Sequence, residues 1–554
     1  MARARALCVT VLMLLALLPG RAAAQPGLPT VIQDDASLLD QPSAAVATAM
    51  RQIAAEGATW VRLSANWSVL APDPASATPP AFDATDPSAY PQSAWAALDT
   101  AVRDAHADGL HVMIDAAYWA PLWATRSAPG PRARLDVNAT DFADFAVALA
   151  RRYSGSYTPP SPTPPPAGTP APPPDENALQ QLLGVLPLGS FASDPSAPDD
   201  ASPLPAVDTL VLWNEPNFPA FLMPQWQGHT PVAADEYRAM VQAAYPAIKA
   251  VSPDLPVLIG NTAGSGGTAN PLGSRPLAFI RELACVNARL APIRTGACAH
   301  FTAVPGDGFA DHPYSNQYPS EVSTGAERDN ARIGDLPHLA SLLNGLVARH
   351  RLAPRVRNIY ITEYGFETQP PSGHWKLTRA QAEQQQSQVL TWAEFVAQQV
   401  PTVRMFAQFL LRDVPPGSSR VSDSPLRGFG QFYSGLQFAD GQPKLSARTF
   451  REGLYAQVAP HGRVLLFGRL RLGAGSCRVQ VQGTPAKGAA RGLWLSTSSS
   501  SSAPAPSLLI GCQDSFVRDA KSLGSGARYR LLVHVGGRSG WQPGVAESAV
   551  VAPR

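Results

Sequence analysis

One regular alternation dominates the chain, and it runs from Leu28 to about Leu454. Short runs rich in β-branched residues alternate with longer, alanine-rich stretches whose apolar residues recur at helical spacing. The short runs predict eight strands, at residues 30–32, 59–63, 110–115, 209–213, 257–260, 308–312, 358–362 and 403–410. The stretches between them predict helices at residues 43–55, 93–107, 138–152, 233–251, 335–350 and 378–398.

Strands that alternate with helices indicate a parallel sheet, because parallel neighbours need a crossover connection and a helix usually forms it. Eight such strands in a stretch of this length predict a (β/α)8 TIM barrel. A doubly wound open sheet is the alternative. The first strand is not followed by the glycine-rich turn that supports such a sheet, so we expect the barrel.

The barrel is assigned to residues 25–457, and two other regions differ from it in pattern. A proline-rich stretch at residues 154–205 interrupts the alternation and predicts a loop insertion to which we assign no function. Beyond Pro460 the pattern changes to short alternating strands, which predict a small all-β, sandwich-like module at residues 461–554. We expect this module to brace the barrel, with carbohydrate binding as the alternative.

Residues 1–24 have the three parts of a secretory signal peptide. Arg3 and Arg5 precede an uncharged apolar run at residues 6–18, and small residues follow up to Ala24. A membrane anchor is the alternative, but the run is shorter than the roughly 20 residues that span a bilayer. We therefore expect cleavage near Ala24, a secreted protein and no membrane span after cleavage.

The cysteines agree with export. Cys8 belongs to the predicted signal, and the other four form two local pairs, Cys285 with Cys298 and Cys477 with Cys512. An even number of cysteines in an exported chain predicts disulfides, with buried free thiols as the alternative. No pair has the Cys-x-x-Cys spacing of a zinc site.

Two glutamates stand directly after apolar strands. Glu215 follows the fourth predicted strand in Leu-Val-Leu-Trp-Asn-Glu-Pro, and Glu363 follows the seventh in Ile-Tyr-Ile-Thr-Glu-Tyr-Gly. The carboxyl ends of the strands form the catalytic face of a barrel, so both side chains should lie there. Either glutamate alone could be a solvated residue or a helix cap. Together they supply the two carboxyls that glycosidic hydrolysis needs.

These two segments resemble the catalytic strands of glycoside hydrolase clan A, the retaining (β/α)8 enzymes that include families 5 and 39. The resemblance covers about residues 28–455 and includes Trp-Val-Arg-Leu at residues 60–63, His-Pro-Tyr at residues 312–314 and the segment at residues 434–444. It implies that Glu215 is the acid/base and Glu363 the nucleophile. It also implies a retaining enzyme that cleaves β-glycosidic bonds of a poly- or oligosaccharide by double displacement.

The resemblance further implies the residues around these carboxyls. Arg62 and Tyr314 resemble donors to the nucleophile, and Asn214 resembles the residue that binds the sugar 2-hydroxyl. His312 resembles a histidine that lines the same pocket. A structural salt bridge for Arg62 and simple packing for His312 are the alternatives.

Two further residues are predicted to contact substrate. Trp119 lies in an aromatic loop after the third strand, at residues 118–123, and could stack on a sugar or pack in the core. Many clan members carry a tryptophan on the eighth strand. Gln408 takes that place here, which predicts a hydrogen bond to a sugar hydroxyl instead of a stacking platform.

Other functions remain possible on the same residues. A transglycosylase would share the first chemical step, and a non-catalytic glycan-binding protein could use a degenerate barrel. The net charge of +2 over 554 residues does not favour nucleic acid as a partner, and no motif indicates a cofactor or a metal. We expect a carbohydrate substrate, no cofactor, no metal and a monomer.

Overall fold

The computed structural model describes residues 23–130, 132–160, 202–315, 318–368, 377–414, 432–485, 491–492, 507–524, 526–536 and 542–549. The chain separates into two compact units. One contains Gly27–Gly453 with Leu470–Gly473, and the other contains the described parts of residues 1–26, 454–469 and 474–554. Most of the predicted signal peptide and of the proline-rich insertion lies outside the described residues, and both stay predictions.

The first unit is a closed parallel barrel of eight strands, which confirms the predicted fold. Each strand pairs in parallel with its neighbours, and the last pairs with the first. The barrel strands are β2 Thr30–Gln33, β3 Trp60–Ser64, β4 His111–Ala116, β5 Thr209–Leu212, β6 Val257–Ala263, β7 Gly308–His312, β8 Ile359–Ile361 and β9 Val403–Phe409.

Helices follow most of these strands, as the alternation predicts. They are α1 Asp35–Leu38, α2 Ser43–Ala55, α3 Trp67–Leu70, α4 Gln92–Ala107, α5 Ala139–Arg152, α6 Ala233–Val251, α7 Pro276–Leu283, α8 Leu336–Val347, α9 Arg379–Gln398 and α10 Leu445–Arg451. Short 3-10 helices occur at Pro87–Ala89, Leu122–Ala124, Gly296–Cys298, Gly325–Glu327, Ile333–Asp335 and Pro354–Arg357. Among the described residues, no helix is both long and apolar enough to cross a membrane.

Side-chain caps fix where two of the predicted helices begin. The Asn138 side chain accepts hydrogen bonds from the second and third amides of α5. Thr378 and Gln381 form a reciprocal capping box at the start of α9. Both capping residues are the first residues of the predicted ranges.

The barrel interior has an apolar layer toward the amino ends of the strands. Its buried members are Val31, Met113, Val211, Leu258, Ala310, Met405 and Ala407. The residues next to them in sequence, such as Ile32, Ile114 and Phe406, point outward to the larger core beneath the helices. This alternation follows from the period of two in a strand, and it carries the next inward side chains to the carboxyl face.

The second unit contains two sheets whose described pairings are antiparallel, which confirms an all-β module. One sheet has the order β1 Ala23–Pro26, β15 Asp514–Lys521, β11 Arg463–Leu470, β10 Glu452–Ala459. The other contains β12 Ser476–Thr484, β13 Arg491–Gly492, β14 Leu508–Gly511, β16 Arg528–Val535 and β17 Gln542–Ala549. The predicted cleavage point near Ala24 falls within β1, which pairs with β15.

Both predicted disulfides are present. Cys285 is bonded to Cys298 in the barrel unit, and Cys477 is bonded to Cys512 in the β-module. The second bridge joins β12 to the residue after β14, two strands that already pair.

A buried ion pair between α9 and the segment Leu470–Gly473 predicts a large stability effect. Nη2 of Arg471 lies 2.7 Å from Oε1 of Glu394, and both side chains are almost fully buried. Nε of Arg471 also donates to Thr30 Oγ1 at 2.9 Å. Since Glu394→Gln leaves the guanidinium buried without a counter-charge, we expect it to lower the free energy of unfolding by about 3–5 kcal/mol.

Denaturant unfolding measures this loss. The matched control is Glu327→Gln, which removes the carboxylate of an ion pair in which Glu327 is 52% exposed. We expect the control to change stability by about 1 kcal/mol or less. Equal effects of the two substitutions would contradict a special role for the buried pair.

Candidate active site

The carboxyl face of the barrel carries a ring of buried polar side chains. Seven of the eight strands contribute one, either within the strand or within two residues after its end. The members of this polar ring are Gln33, Arg62, Asp115, Asn214, Asn261, His312 and Glu363, each less than 10% exposed. A glutamate from the turn after β5, Glu215, lies against the ring and is 7% exposed.

Arg62 and Tyr314 hold the carboxylate of Glu363. Nη1 of Arg62 donates to Oε1 of Glu363 at 2.6 Å, and the Tyr314 hydroxyl donates to Oε2 at 3.1 Å. Nη1 also donates to Gln33, and Nη2 donates to Oδ2 of Asp115 at 2.6 Å. Arg62 and Tyr314, the two residues predicted to donate to Glu363, therefore both do so in the structure.

His312 lies between the two glutamates. Its Nδ1 is 3.0 Å from Oε1 of Glu215 and 3.5 Å from Oε2 of Glu363. Burial lowers the pKa of His312 well below its usual value, and the positive charge of Arg62 adds to this effect. The imidazole is therefore neutral at neutral pH. When Nδ1 carries the proton it donates to Oε1 of Glu215, which leaves Oε2 as the oxygen that can present a proton to substrate.

The two carboxyls are close to each other. One carboxylate oxygen of Glu215, one of Glu363 and a ring nitrogen of His312 all lie within 4.8 Å of one another. In retaining glycosidases the two carboxyl groups are about 5–5.5 Å apart, whereas inverting enzymes keep them about 6.5–9.5 Å apart to admit a water. The nearest oxygens of the two carboxyls here are at most 4.8 Å apart, which is compatible with the shorter spacing.

The surroundings of the two glutamates separate their pKa values. Burial raises the pKa of both. The negative charge of Glu363 raises the pKa of Glu215 further, to well above its usual range. For Glu363, the charge of Arg62 and the hydrogen bonds from Arg62 and Tyr314 oppose the effect of burial. Glu215 therefore keeps its proton to a higher pH than Glu363, which suits one acid and one carboxylate.

Asn261 on β6 fixes the turn that carries Glu215. Its backbone carbonyl accepts a hydrogen bond from the Glu215 amide at 2.9 Å, and its side-chain nitrogen donates to the Trp213 carbonyl at 2.8 Å. Trp213, Glu215 and Asn261 all have positive φ, at 65°, 40° and 51°. Left-handed backbone is costly for residues other than glycine and clusters at functional sites, so these contacts hold a strained turn in place.

Asp115 and Asn261 are members of the ring that the sequence analysis did not select. Asp115 is fully buried, and burial raises its pKa to about 8 although Arg62 opposes this. The side-chain nitrogen of Asn261 lies 3.4 Å from both Asp115 oxygens. Each comes directly after an apolar run within its strand, at residues 112–114 and 257–260, and this is the signal that could have identified them.

Asn214 was predicted to bind a sugar hydroxyl, and the structure shows how its amide is oriented. Its Oδ1 accepts from Nη2 of Arg62 at 3.3 Å and from Asn261 at 3.4 Å. Because Arg62 and Asn261 both donate to this carbonyl oxygen, the amide nitrogen of Asn214 is the group that can donate to a substrate.

No protein-family model and no curated protein matches this chain. Several solved structures resemble it. One is β-glucuronidase 2 of Bacteroides uniformis covalently bound to cyclophellitol-6-carboxylate aziridine, at 9% identity and TM-score 0.40, with 96% of this chain and 46% of that chain covered. The chain thus spans about half the length of that protein.

Two others are GH5_18 proteins. That of Streptomyces cattleya in complex with GlcNAc has 16% identity and TM-score 0.39 and covers 77% of this chain and 79% of that one. A variant from Bifidobacterium longum in complex with Manb1-4GlcNAc has 13% identity and TM-score 0.41, covering 76% and 77%. The barrel is established by its own strand pairing.

Gln408 does not join the polar ring. In the parallel register it pairs with Ile32, which points outward, whereas Phe409 pairs with Gln33 of the ring. The Gln408 amide nitrogen donates to the carbonyls of Leu410 and Ser434 at 3.1 and 2.8 Å. The inward position at the end of this strand is therefore held by Phe409 and not by Gln408, because neighbouring strand residues point to opposite faces.

Phe409 lies beside Tyr314, with the two rings edge to face and their centroids 6.1 Å apart. Its backbone amide donates to the carbonyl of Tyr364, the residue after Glu363, at 2.8 Å. Gly365 lets these two backbone segments lie close together, because a Cβ at this position would lie 2.3 Å from the Phe409 carbonyl oxygen. Phe409 is thus a half-buried aromatic ring next to a hydrogen-bond donor of Glu363.

Trp119 lies in an aromatic cluster on the loop after β4. Its indole nitrogen donates to the Ala220 carbonyl at 2.8 Å, its ring stacks on Phe221, and it is 6% exposed. The half-buried rings of Tyr118 and Phe218 belong to the same cluster. A direct contact of Trp119 with sugar stays a prediction.

Two groups of side chains in the described residues have donor atoms close enough to hold a metal ion. One is Glu215, His312 and Glu363, and the other is Asp235 with Cys285 and Cys298. In the first, the cation of Arg62 already binds Glu363 at 2.6 Å and would repel a metal. In the second, the two sulfurs are bonded to each other. Neither donor set fits a metal well.

Proposed function

We propose that this protein is a secreted retaining glycoside hydrolase that cleaves β-glycosidic bonds of a poly- or oligosaccharide. The observation that carries the proposal is the pair Glu215 and Glu363, whose carboxylate oxygens lie within 4.8 Å of each other and share His312. Their surroundings raise the pKa of Glu215 more than that of Glu363. The reaction requires this difference, because one carboxyl must be protonated while the other is ionised.

In the first step, a carboxylate oxygen of Glu363 forms a bond to the anomeric carbon while the glycosidic carbon–oxygen bond breaks. The proton of Glu215 goes to the departing oxygen. The ion pair with Arg62 and the hydrogen bond from Tyr314 keep Glu363 ionised and oriented for this attack. Asn214 donates to the sugar 2-hydroxyl, a contact that strengthens as positive charge develops on the ring.

In the second step, Glu215 is ionised and removes a proton from water. The water oxygen bonds to the anomeric carbon, and the bond to Glu363 breaks. Glu215 ends protonated and Glu363 ionised, as they began. Two inversions give net retention of configuration.

Export is supported by the signal-like residues 1–24 and by the two disulfides. The β-linkage comes from the clan A resemblance of the strands that carry Glu215 and Glu363. The identity of the sugar is the object of the test.

The test is hydrolysis of a panel of aryl β-glycosides and of plant, fungal and bacterial polysaccharides. Proton NMR should show that the first product has the β configuration of the substrate. An α-configured first product would overturn the role of Glu363 as nucleophile. Binding of glycans without any cleavage would favour the non-catalytic alternative, and products lengthened by an added acceptor sugar would favour the transglycosylase.

A further inference from the structure

An aromatic patch is built on the same turn as Glu215. The amide of Phe218 donates to the Glu215 carbonyl at 2.9 Å, and the amide of Phe221 donates to the Phe218 carbonyl at 3.0 Å. Phe221 stacks on Trp119, with ring centroids 6.3 Å apart, and lies 5.4 Å from the ring of Tyr118. We call these four rings the leaving-group patch, for the reason that follows.

The position of Glu215 decides which part of a substrate meets the patch. An acid/base residue protonates the oxygen of the leaving group. The leaving group must therefore lie against Glu215 and the residues that continue from it. This step rests on the proposed function.

Two arginines border the patch. The guanidinium carbon of Arg132 lies 4.8 Å from the centroid of the Trp119 ring. Arg134 donates to the carbonyls of Pro219 and Arg132, both at 2.8 Å. Both side chains are partly buried, and burial followed by the charge of Arg134 lowers the pKa of Arg132.

Within the described ranges, neither arginine has a carboxylate partner. The other partly or fully buried arginines of the barrel unit commonly do, among them Arg62, Arg152, Arg238, Arg281 and Arg471. Two neighbouring cations without counter-charge give this edge of the site a positive potential. A guanidinium stacked on an aromatic ring is also pre-oriented to bind a carboxylate or a sulfate.

The segment after β2, which includes α1, carries acidic side chains instead of basic ones. They are Asp34, Asp35 and Asp40. Burial raises the pKa of all three, to about 6 for Asp34 and about 7 for Asp40, and the ionised form of Asp35 raises the pKa of Glu363. An anionic group on the sugar that Glu363 attacks would be repelled there. The acidic loop and the arginine pair therefore favour one orientation of a negatively charged substrate.

We propose that the substrate carries an anionic group, a carboxylate or a sulfate, on its leaving group. Arg132 binds this anion while the attached ring lies on the leaving-group patch. The class includes glycans with an acidic unit on the leaving-group side and glycosides of aromatic acids.

The experiment compares a carboxyphenyl β-glycoside with its methyl ester, using the sugar that the panel identifies. We measure kcat/KM for both in wild type and in Arg132→Gln. The anion-to-ester ratio should fall about tenfold in the variant, equivalent to about 1.4 kcal/mol, and salt should reduce the ratio in wild type. Comparing ratios removes the difference in leaving-group reactivity and any general loss of activity.

Arg126→Gln is the matched control, because Arg126 is an exposed arginine of the same loop and its loss changes the net charge equally. We expect it to leave the ratio unchanged. A ratio that is the same in wild type and Arg132→Gln would overturn the proposal while hydrolysis of the ester still supports the glycosidase. So would an equal fall in both variants, which would indicate a net-charge effect.

A binding measurement separates the two proposals. Calorimetry with a hydroxybenzoate and its methyl ester should show tighter binding of the anion, and Arg132→Gln should remove the difference. Discrimination in binding with no hydrolysis of any glycoside would count against the proposed function and for the anion site. Equal binding of the two probes in wild type would overturn the anion site.

Discussion

Replacement of Glu363 by glutamine should lower kcat/KM on an aryl β-glycoside by about 10⁴-fold or more, as expected for loss of a nucleophile. Glutamine has nearly the same shape as glutamate, but its amide oxygen does not attack the anomeric carbon readily. Among the residues that the structure describes, it also leaves Asp115 as the one charged partner at hydrogen-bond distance from Arg62, which has no exposed surface. Initial rates over a range of substrate concentrations measure the loss.

Covalent labelling of the nucleophile with a mechanism-based reagent is a second test of the same prediction. An activated fluoroglycoside should form a covalent adduct with wild type, and mass spectrometry of the digested protein should place it on Glu363. The control is Glu367→Gln, a carboxyl four residues later whose pKa burial raises to about 7. It should keep activity within about tenfold of wild type. A label on another residue, or an equal loss in the control, would contradict the assignment.

Glu215 and Glu363 could be found from sequence because each lies in a short continuous segment. An apolar strand followed at once by a glutamate is visible locally, and the barrel then brings the two segments to one face. The strand and helix alternation also determines which face that is. Neither step needs knowledge of contacts between distant residues.

The rest of the site depends on such contacts. Asp115 becomes part of it by binding Arg62, 53 residues away, and Asn261 does so by binding the Trp213 carbonyl, 48 residues away. Burial, which raises the pKa of Asp115 to about 8, likewise appears only when the barrel is closed.

The inward-facing residues of the eighth barrel strand were hard to predict for a different reason. Residues on both of its faces are apolar, because Met405 points into the barrel and Phe406 points toward the helices. A strand buried on both faces has no alternation of polarity by which to choose an inward residue. The resemblance to clan A placed Gln408 at the tryptophan position of this strand, but pairing with β2 turns Phe409 inward instead.

Glu215→Gln should separate the two steps of the reaction by their dependence on the leaving group. With a natural glycan, whose leaving group needs a proton, we expect kcat/KM to fall by about 10²–10⁴-fold. With a dinitrophenyl glycoside, which needs no proton, kcat/KM should fall far less. Deglycosylation still lacks its base, so the glycosyl-enzyme should accumulate and give a burst of dinitrophenol. In Glu215→Ala, azide should restore turnover and form a β-glycosyl azide.

The pH profile of the same variant tests why Glu215 is the acid. Burial, and then the charge of Glu363, raises the pKa of Glu215, and the protonated form is the one that reacts. Activity on an aryl glycoside that needs the proton should therefore fall as pH rises through that pKa. Glu215→Gln has no proton to lose, so this alkaline limb of kcat/KM should disappear while the acid limb, due to Glu363, remains.

Glu236 provides the control for this profile, because burial raises its pKa to about 8 and it could produce an alkaline limb of its own. Glu236→Gln should keep the wild-type profile. If the limb persists in Glu215→Gln and disappears in Glu236→Gln, the acid has been assigned to the wrong carboxyl. The distance between Glu215 and Glu363 would then no longer support a retaining mechanism, since that inference requires both groups to act on the same bond.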